Sequence, residues 1–263
     1  MYYYSNNIFK DNNESIKVMT IRKFFKNFVP IQIRQFIKNF TYLLLSKGRR
    51  FMNSHDVAYL DSSVHVLGWK NIKFGKNSVI SEGCWLNINN RESTKVQIEI
   101  GNNTFIGRRN FFSSGNLIRI GDYCLTGIDC KFMGSNHIYS DPMKPYITTG
   151  TTDEWTINVG ANCWLGAGVS IIGNVKIGHG SIIGADALIN KDIPPFSLVV
   201  GNPGKIIKRY DIDTSRWVSA FEFTEEQESR LPSELNYLQI LQFSYPTVHM
   251  PVRAASKALG DLP

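Results

Sequence analysis

Several things are scarce in this 263-residue chain, and each scarcity excludes something. Only four cysteines are present, none in a CxxC pair and none spaced with histidine as a metal-binding set. A disulfide scaffold and a zinc finger are both excluded, and a reducing, cytoplasmic setting is expected. No run of about 20 apolar residues occurs, so no membrane-spanning segment is expected. The opening Met-Tyr-Tyr-Tyr-Ser-Asn-Asn lacks the charged and then apolar regions of a secretion signal. Acids are absent between Thr20 and Arg50, where Arg22, Lys23, Lys26, Arg34, Lys38, Lys47, Arg49 and Arg50 lie. Those eight exceed the whole net charge of +7, so the rest of the chain sums to −1 (7 − 8). A neutral body with one basic arm excludes a general nucleic-acid-binding surface.

What is present begins with that arm. Residues 1 to 19 are polar and irregular. Phe24, Phe25 and Phe28 share a helical face before Pro30, and Ile33, Phe36, Ile37, Phe40, Leu43 and Leu44 continue at three- and four-residue steps. The opposite face is Lys and Arg. Such a helix suits an anionic membrane surface, as a peripheral contact through 20–50. It equally suits a cap over the end of the body that follows. His55 and His65 read as surface residues.

From Val159 the chain falls into sixes: VGANCW, LGAGVS, IIGNVK, IGHGSI, IGADAL, INKDIP. An aliphatic residue opens each block, Gly follows in four of them, and a smaller or β-branched residue stands four places after the opener. A six-residue period predicts a parallel β-helix, in which each block's apolar face is buried only by the coil stacked on it. The same rhythm runs earlier, from Phe74-Gly75 through Thr126-Gly127, with a pause over Asn89–Lys95 and two residues inserted between Phe112 and Ile120. All four cysteines fall in the compact slot four places after an opener, which predicts buried packing. Between Phe132 and Val159 the rhythm stops. The segment contains Gly134, Pro142, Pro145 and Gly150, which exclude a helix and predict a long loop, and it holds His137. His179, in Ile-Gly-His-Gly, reads as an ordinary turn residue.

This pattern resembles the hexapeptide-repeat acyltransferases over roughly Phe74 to Arg209. The most specific part is Trp164 through Lys191-Asp192-Ile193-Pro194-Pro195 to Gly201-Asn202-Pro203-Gly204-Lys205, where the family usually closes on Gly-Asn-Pro-Ala-Lys. The resemblance implies an all-β solenoid, a left-handed parallel β-helix. The expected organisation is a basic helical arm over 1–50, the β-helix over 51–209 with a catalytic loop at 133–158, and a helical C-terminal extension over 210–263. In that extension Thr224 N-caps one helix and Pro232 starts a second amphipathic one, with the end of the chain from Pro246 unstructured or dependent on a partner.

The resemblance also implies a site. Ile118-Arg119-Ile120-Gly121-Asp122-x-Cys124 precedes Asn136-His137 at the spacing seen in galactoside and maltose O-acetyltransferases, which implies His137 as general base. An imidazole of ordinary pKa about 6.5 suits proton removal from an attacking hydroxyl at neutral pH. The N–H of Ala167, after Trp164-Leu165-Gly166, is the implied oxyanion donor. Trp164, Gly166, Ala167, Ala185, Asn190, Lys191, Pro203, Lys205 and Lys208 are the implied contacts for acetyl-CoA, the acyl donor. No metal is implied, because the three zinc histidines of the γ-class carbonic anhydrases, which share the prism, are missing. Ser113, Ser114, Asn136 and Glu154 are candidates on the acceptor side, with Asp153 or Glu154 orienting the His137 ring. Ser113 and Ser114 replace the Asn of the simple sugar acetylators. Together with the basic arm, this points to a glycan acceptor, the reading being O-acetylation of a capsule, O-antigen or lipopolysaccharide by a homotrimer. Two alternatives stand beside it. One is a xenobiotic (antibiotic) acetyltransferase, suggested by Lys208-Arg209-Tyr210-Asp211 and the helical tail. The other is a non-catalytic β-helical scaffold.

Overall fold

The computed structural model describes residues 58–246 and 248–250. The helical arm, its membrane contact, His55 and the last thirteen residues lie outside them.

The chain winds through three parallel sheets in strict rotation. The first coil is β1 (Tyr59–Leu60), β2 (His65–Leu67) and β3 (Ile72–Phe74). The second is β4 (Val79–Ile80), β5 (Trp85–Asn87) and β6 (Ile98–Ile100). The third is β7 (Phe105–Ile106), β8 (Phe111–Ser113) and β9 (Leu117–Ile120), and the fourth β10 (Leu125–Thr126), β11 (Lys131–Met133) and β12 (Thr156–Val159). β13 (Trp164–Leu165), β14 (Ser170–Ile172) and β15 (Val175–Ile177) make the fifth. β16 (Ile182–Ile183), β17 (Leu188–Ile189) and β18 (Ser197–Val200) finish the winding. First strands of each coil stack as sheet A, second strands as sheet B and third strands as sheet C, except that β18 lies on β16 in sheet A and the place after β15 in sheet C is held by the bridge of Ile193 to Ile177. In the last coils Val159 pairs with Ile177, Leu165 with Ile183 and Ile171 with Ile189, each eighteen residues on, so one coil is three hexapeptides. Hexapeptide repeats on parallel sheets fit a left-handed β-helix.

The block openers all point inward: Val159, Leu165, Ile171, Ile177, Ile183 and Ile189 are buried. The coil begins earlier than the periodicity shows, at Tyr59 rather than Phe74. Its first turn, Asp61-Ser62-Ser63-Val64, has no glycine to reveal it. Glycine is demanded only where the next coil presses on the turn. A Cβ on Gly166 would stand 2.6 Å from the Ala185 nitrogen. The four cysteines fill the slot after such turns, and each thiol donates to a carbonyl of the following coil. Cys84 reaches Gly107 O at 3.0 Å, Cys124 reaches Gly160 O at 3.1 Å, Cys130 reaches Gly166 O at 3.2 Å and Cys163 reaches Gly178 O at 3.3 Å. Compact packing is therefore joined by a weak inter-coil bond.

The three corners are not equivalent. From sheet A to B, up to the corner of Ala185, and from sheet C to A, up to that of His179, every connection is four residues long. From B to C the connections are 68–71, 88–97, 114–116, 134–155 and 173–174. Every lengthening of a coil falls at this one corner.

The C-terminal extension departs from the helical expectation. β19 (Lys205–Asp211) turns back antiparallel on β18, and β20 (Arg216–Ser219) pairs with it, before α1 (Glu225–Arg230) and α2 (Glu234–Ser244). Thr224 and Gln227 form a capping box on α1, and Ser233 rather than Pro232 caps α2. α2 is not cleanly amphipathic, since Leu235 and Ile240 are exposed. The extension is held to the prism by side chains. Arg209, itself buried, grips both Glu228 oxygens at 3.0 Å, donates to Pro195 O at 3.1 Å and lies 4.5 Å over the Phe223 ring. His179 bonds Pro232 O at 3.0 Å and packs on Phe196 and Tyr237, so it is a clamp rather than a plain turn residue. Burial lowers its pKa below 6.5. Glu234 accepts the Ala161 N–H at 2.8 Å, Tyr237 meets Asn162, Tyr123 donates to Tyr245 O at 3.2 Å, and Asn77 donates to Val248 O at 2.9 Å. The tail to Met250 is therefore laid along the C-to-A corner against the direction of winding, not loose from Pro246.

Candidate active site

The predicted residues gather at distinct places on the prism. At the A-to-B corner of the fifth coil, Trp164 points outward from β13 between Leu125 and Ile182, 52% exposed. Gly166 and Ala167 follow in the turn, with exposed Ala185 stacked on them from the next coil. Ala167 accepts the Asp186 N–H at 2.8 Å, and Gly168 donates to Ile128 O at 2.8 Å. The N–H of Ala167 itself makes no hydrogen bond among the described residues. The same turn place at the C-to-A corner is Ala161, whose N–H is taken by Glu234. At Ala161 this donor is thus capped, whereas at Ala167, as at Arg108, Ile128 and Ala185 on the A-to-B corner, it makes no hydrogen bond among the described residues.

His137 stands at the B-to-C corner, on the loop 134–155 that leaves the fourth coil. Its main chain bridges to Thr151. Asn136 holds the loop's root: its carbonyl accepts the Thr152 N–H at 2.7 Å, and its side-chain oxygen accepts the His137 N–H at 2.9 Å. Asn136 therefore shapes the turn that presents His137, and the His137 ring is exposed. Asp153 and Glu154 are exposed, and neither is bonded to that ring among the described residues. Ser114 is fully buried and donates to Gln97 at 3.2 Å, which removes it from any direct contact with a ligand. Ser113, half-buried, is bonded to Ser135 at 3.1 Å.

Asn190 and Lys191 are exposed at the B-to-C corner of the last coil. Pro203 is exposed in the turn before β19. Lys205 and Lys208 lie three apart on β19, a spacing that puts residues of a regular strand on opposite faces. A register shift leaves Ile207 as an extra residue, because Leu198 pairs with Lys208 and Val199 with Ile206. Both lysines are exposed as a result, while Ile206 packs on the core. Within one chain the Trp164–Ala167 corner and the His137 corner are separated by the width of sheet B.

The cysteines take no part. Burial pushes the Cys84 thiol up to about 12 and Cys130 to about 11, and raises Cys163 as well. Among the described residues no group of three or more His, Cys, Asp or Glu could hold a metal ion, and no helix is long and apolar enough to cross a membrane. The outward row of sheet B, described below, escaped the sequence reading. The period of six reports the inward positions, and the signal for this row was the aromatic residue before the openers Leu86 and Phe112.

Residues 156–191 match the family of the bacterial transferase hexapeptide (six repeats). A Staphylococcus aureus protein named as an acetyltransferase is 37% identical over 117 residues, 44% of this chain and 57% of its own length. A Schizosaccharomyces pombe protein named likewise is 32% identical over 123 residues, 44% of this chain and 58% of its own. The chain thus spans a little over half the length of the curated relatives it matches. Among solved structures, AntD, an N-acyltransferase from Bacillus cereus in complex with dTDP and 3-hydroxybutyryl-CoA, superposes with a TM-score of 0.51 at 18% identity. The match covers 62% of this chain and 87% of that one, and it supports the fold alone. Over residues 156–191 the repeats read in the sequence match that hexapeptide model.

Proposed function

We propose that this protein is an acyl-CoA-dependent O-acetyltransferase acting on a sugar hydroxyl of a bacterial surface glycan, wound in the left-handed sense and working as a homotrimer. The observation that carries the reading is the open N–H of Ala167 beside exposed Trp164, set against the capped N–H of Ala161 at the equivalent turn. A donor left free at a rigid corner suits an oxyanion that appears only during reaction. His137 takes the acceptor's hydroxyl proton as that oxygen attacks the thioester carbonyl. The tetrahedral intermediate then expels the CoA thiolate, which receives the proton back from the imidazolium. Trp164 flanks the thioester, Ala185 and Asn190-Lys191 line the pantetheine arm, and Lys205 and Lys208 meet the phosphates. The buried thiols argue for direct transfer without an acyl-enzyme.

Two features support a trimer. The outward row of sheet A is apolar through Phe105, Leu125, Trp164, Ile182 and Leu198, so both faces of that sheet ask to be covered. The His137 loop also carries exposed Met143 (89%) and Ile147 (86%), a surface suited to a neighbouring copy. Three copies would bring the loop of one against the corner of the next.

The test is acetyl transfer from acetyl-CoA by His137→Ala with acetyl-CoA binding followed in parallel. Transfer should fall by about 10²–10⁴ with the affinity for acetyl-CoA unchanged. Turnover above half of the parent's places the base elsewhere. The linkage formed, ester or amide, separates O- from N-acetylation.

A further inference from the structure

Sheet B has a different outward face from sheet A. In register along it stand His65, Trp85, Phe111 and Lys131, and beside them Leu67, Asn87, Ser113 and Met133. Trp85 is 45% exposed and meets Phe111 edge to face, ring centres 5.4 Å apart. Two residues along each strand, on the same face, are Asn87 and Ser113. Asn87 donates to Asn89 Oδ1 at 2.7 Å, and Asn89 in turn reaches Ser113 Oγ at 3.4 Å and Ser135 Oγ. This polar row runs from the second coil to the foot of the loop, two residues short of His137.

The hydrogen-bond count leaves capacity unspent. Asn89 uses both amide protons on the two serines. The serines share one hydroxyl proton between them, which leaves the other free. The Asn87 side-chain oxygen accepts nothing among the described residues, its main-chain carbonyl being taken by the Ser114 N–H at 3.0 Å. An aromatic plate beside unused amide and hydroxyl groups matches a pyranose, whose axial C–H face is apolar and whose rim is hydroxylated. A second copy of the chain would find the uniformly apolar row of sheet A a better partner than this mixed one.

We propose that Trp85, backed by Phe111 and flanked by Asn87, binds the sugar unit next to the one acetylated, so that the acceptor is a glycan of at least two units. The row lies about one to two coil steps of 4.8 Å from the loop's foot, so a linear chain would run down sheet B from His137. The proposal rests on the acyltransferase reading of the His137 loop.

The experiment compares methyl glycosides of glucose, galactose and N-acetylglucosamine with the matching linear trisaccharides and nucleotide sugars. Binding to the full-length protein is read by ligand-observed NMR and transfer by acetyl incorporation. At least one trisaccharide should bind ten times more tightly than its methyl glycoside. Trp85→Ala should abolish that gain, and Asn87→Ala reduce it, with acetyl-CoA affinity and oligomeric state unchanged. Three results overturn the inference: no gain for any trisaccharide, including the case in which only nucleotide sugars bind; a gain that survives Trp85→Ala; or dissociation of the assembly by Trp85→Ala, which would make this face an interface. His137→Ala separates the two claims. It should keep the trisaccharide gain while losing transfer, and persistent transfer would refute the base without touching the Trp85 site.

Discussion

A single residue decides most where the backbone is already fixed. Ile207 illustrates this: one extra residue in β19 turns two lysines to the same side. If Lys205 and Lys208 meet acyl-CoA phosphates, replacing both with Ala should raise the KM for acetyl-CoA and leave kcat nearly unchanged. Phosphates far from the carbonyl contribute equally to ground and transition states. The loss should shrink as salt rises, because exposed charges are screened over about 10 Å at 0.1 M. A short thioester without the nucleotide should be indifferent to both substitutions. Equal damage to that substrate would show that the lysines support the fold instead.

Elements in this protein are joined by a few side chains whose titration has consequences. Burial lowers the pKa of His179 in the folded state, although its bond to Pro232 O and then nearby Glu234 pull the other way. The unfolded or undocked chain takes up a proton near pH 6.5, and the docked chain only at lower pH. Stability of the docked helices is therefore full above about 6.5 and falls as pH drops toward the lowered value. Hydrogen exchange in α2 should quicken at pH 5.5 relative to 7.5, and His179→Phe should flatten that difference. A flat profile in the parent would exclude His179 as the titrating clamp. None of this was legible in a turn reading Ile-Gly-His-Gly, because the partner lies some fifty residues away. The inward positions were legible, since a buried opener and a compact fifth residue recur wherever coils stack. The first coil was not, because its turn Asp61-Ser62-Ser63-Val64 carries no glycine to mark it. Ser114 was misjudged for a related reason: its neighbour Ser113 faces out of the sheet, while Ser114 has turned inward at the corner.

For the whole molecule the question is which face is covered. Leu125 sits mid-way along the apolar row of sheet A and is 44% exposed. Leu125→Lys should convert a trimer to monomers in sedimentation velocity without unfolding the prism, because the side chain touches solvent and not the core. Transfer should fall with assembly, since the His137 loop and the Ala167 corner stand apart within one chain. An active Leu125→Lys monomer would mean that each chain completes its own site.

The returning tail has a consequence for how the molecule can change. It bonds in passing to Asn162, Tyr123 and Asn77, on coils stacked about 4.8 Å apart. A helix of eleven residues is about 16 Å long and cannot stretch. The tail thus acts as a ruler that counts coils. Duplicating or deleting one eighteen-residue unit between Tyr123 and Asn162 leaves the winding intact yet puts their contacts with Tyr245 and Tyr237 out of step. Solenoids gain and lose repeats readily, but here the length of the prism is written twice.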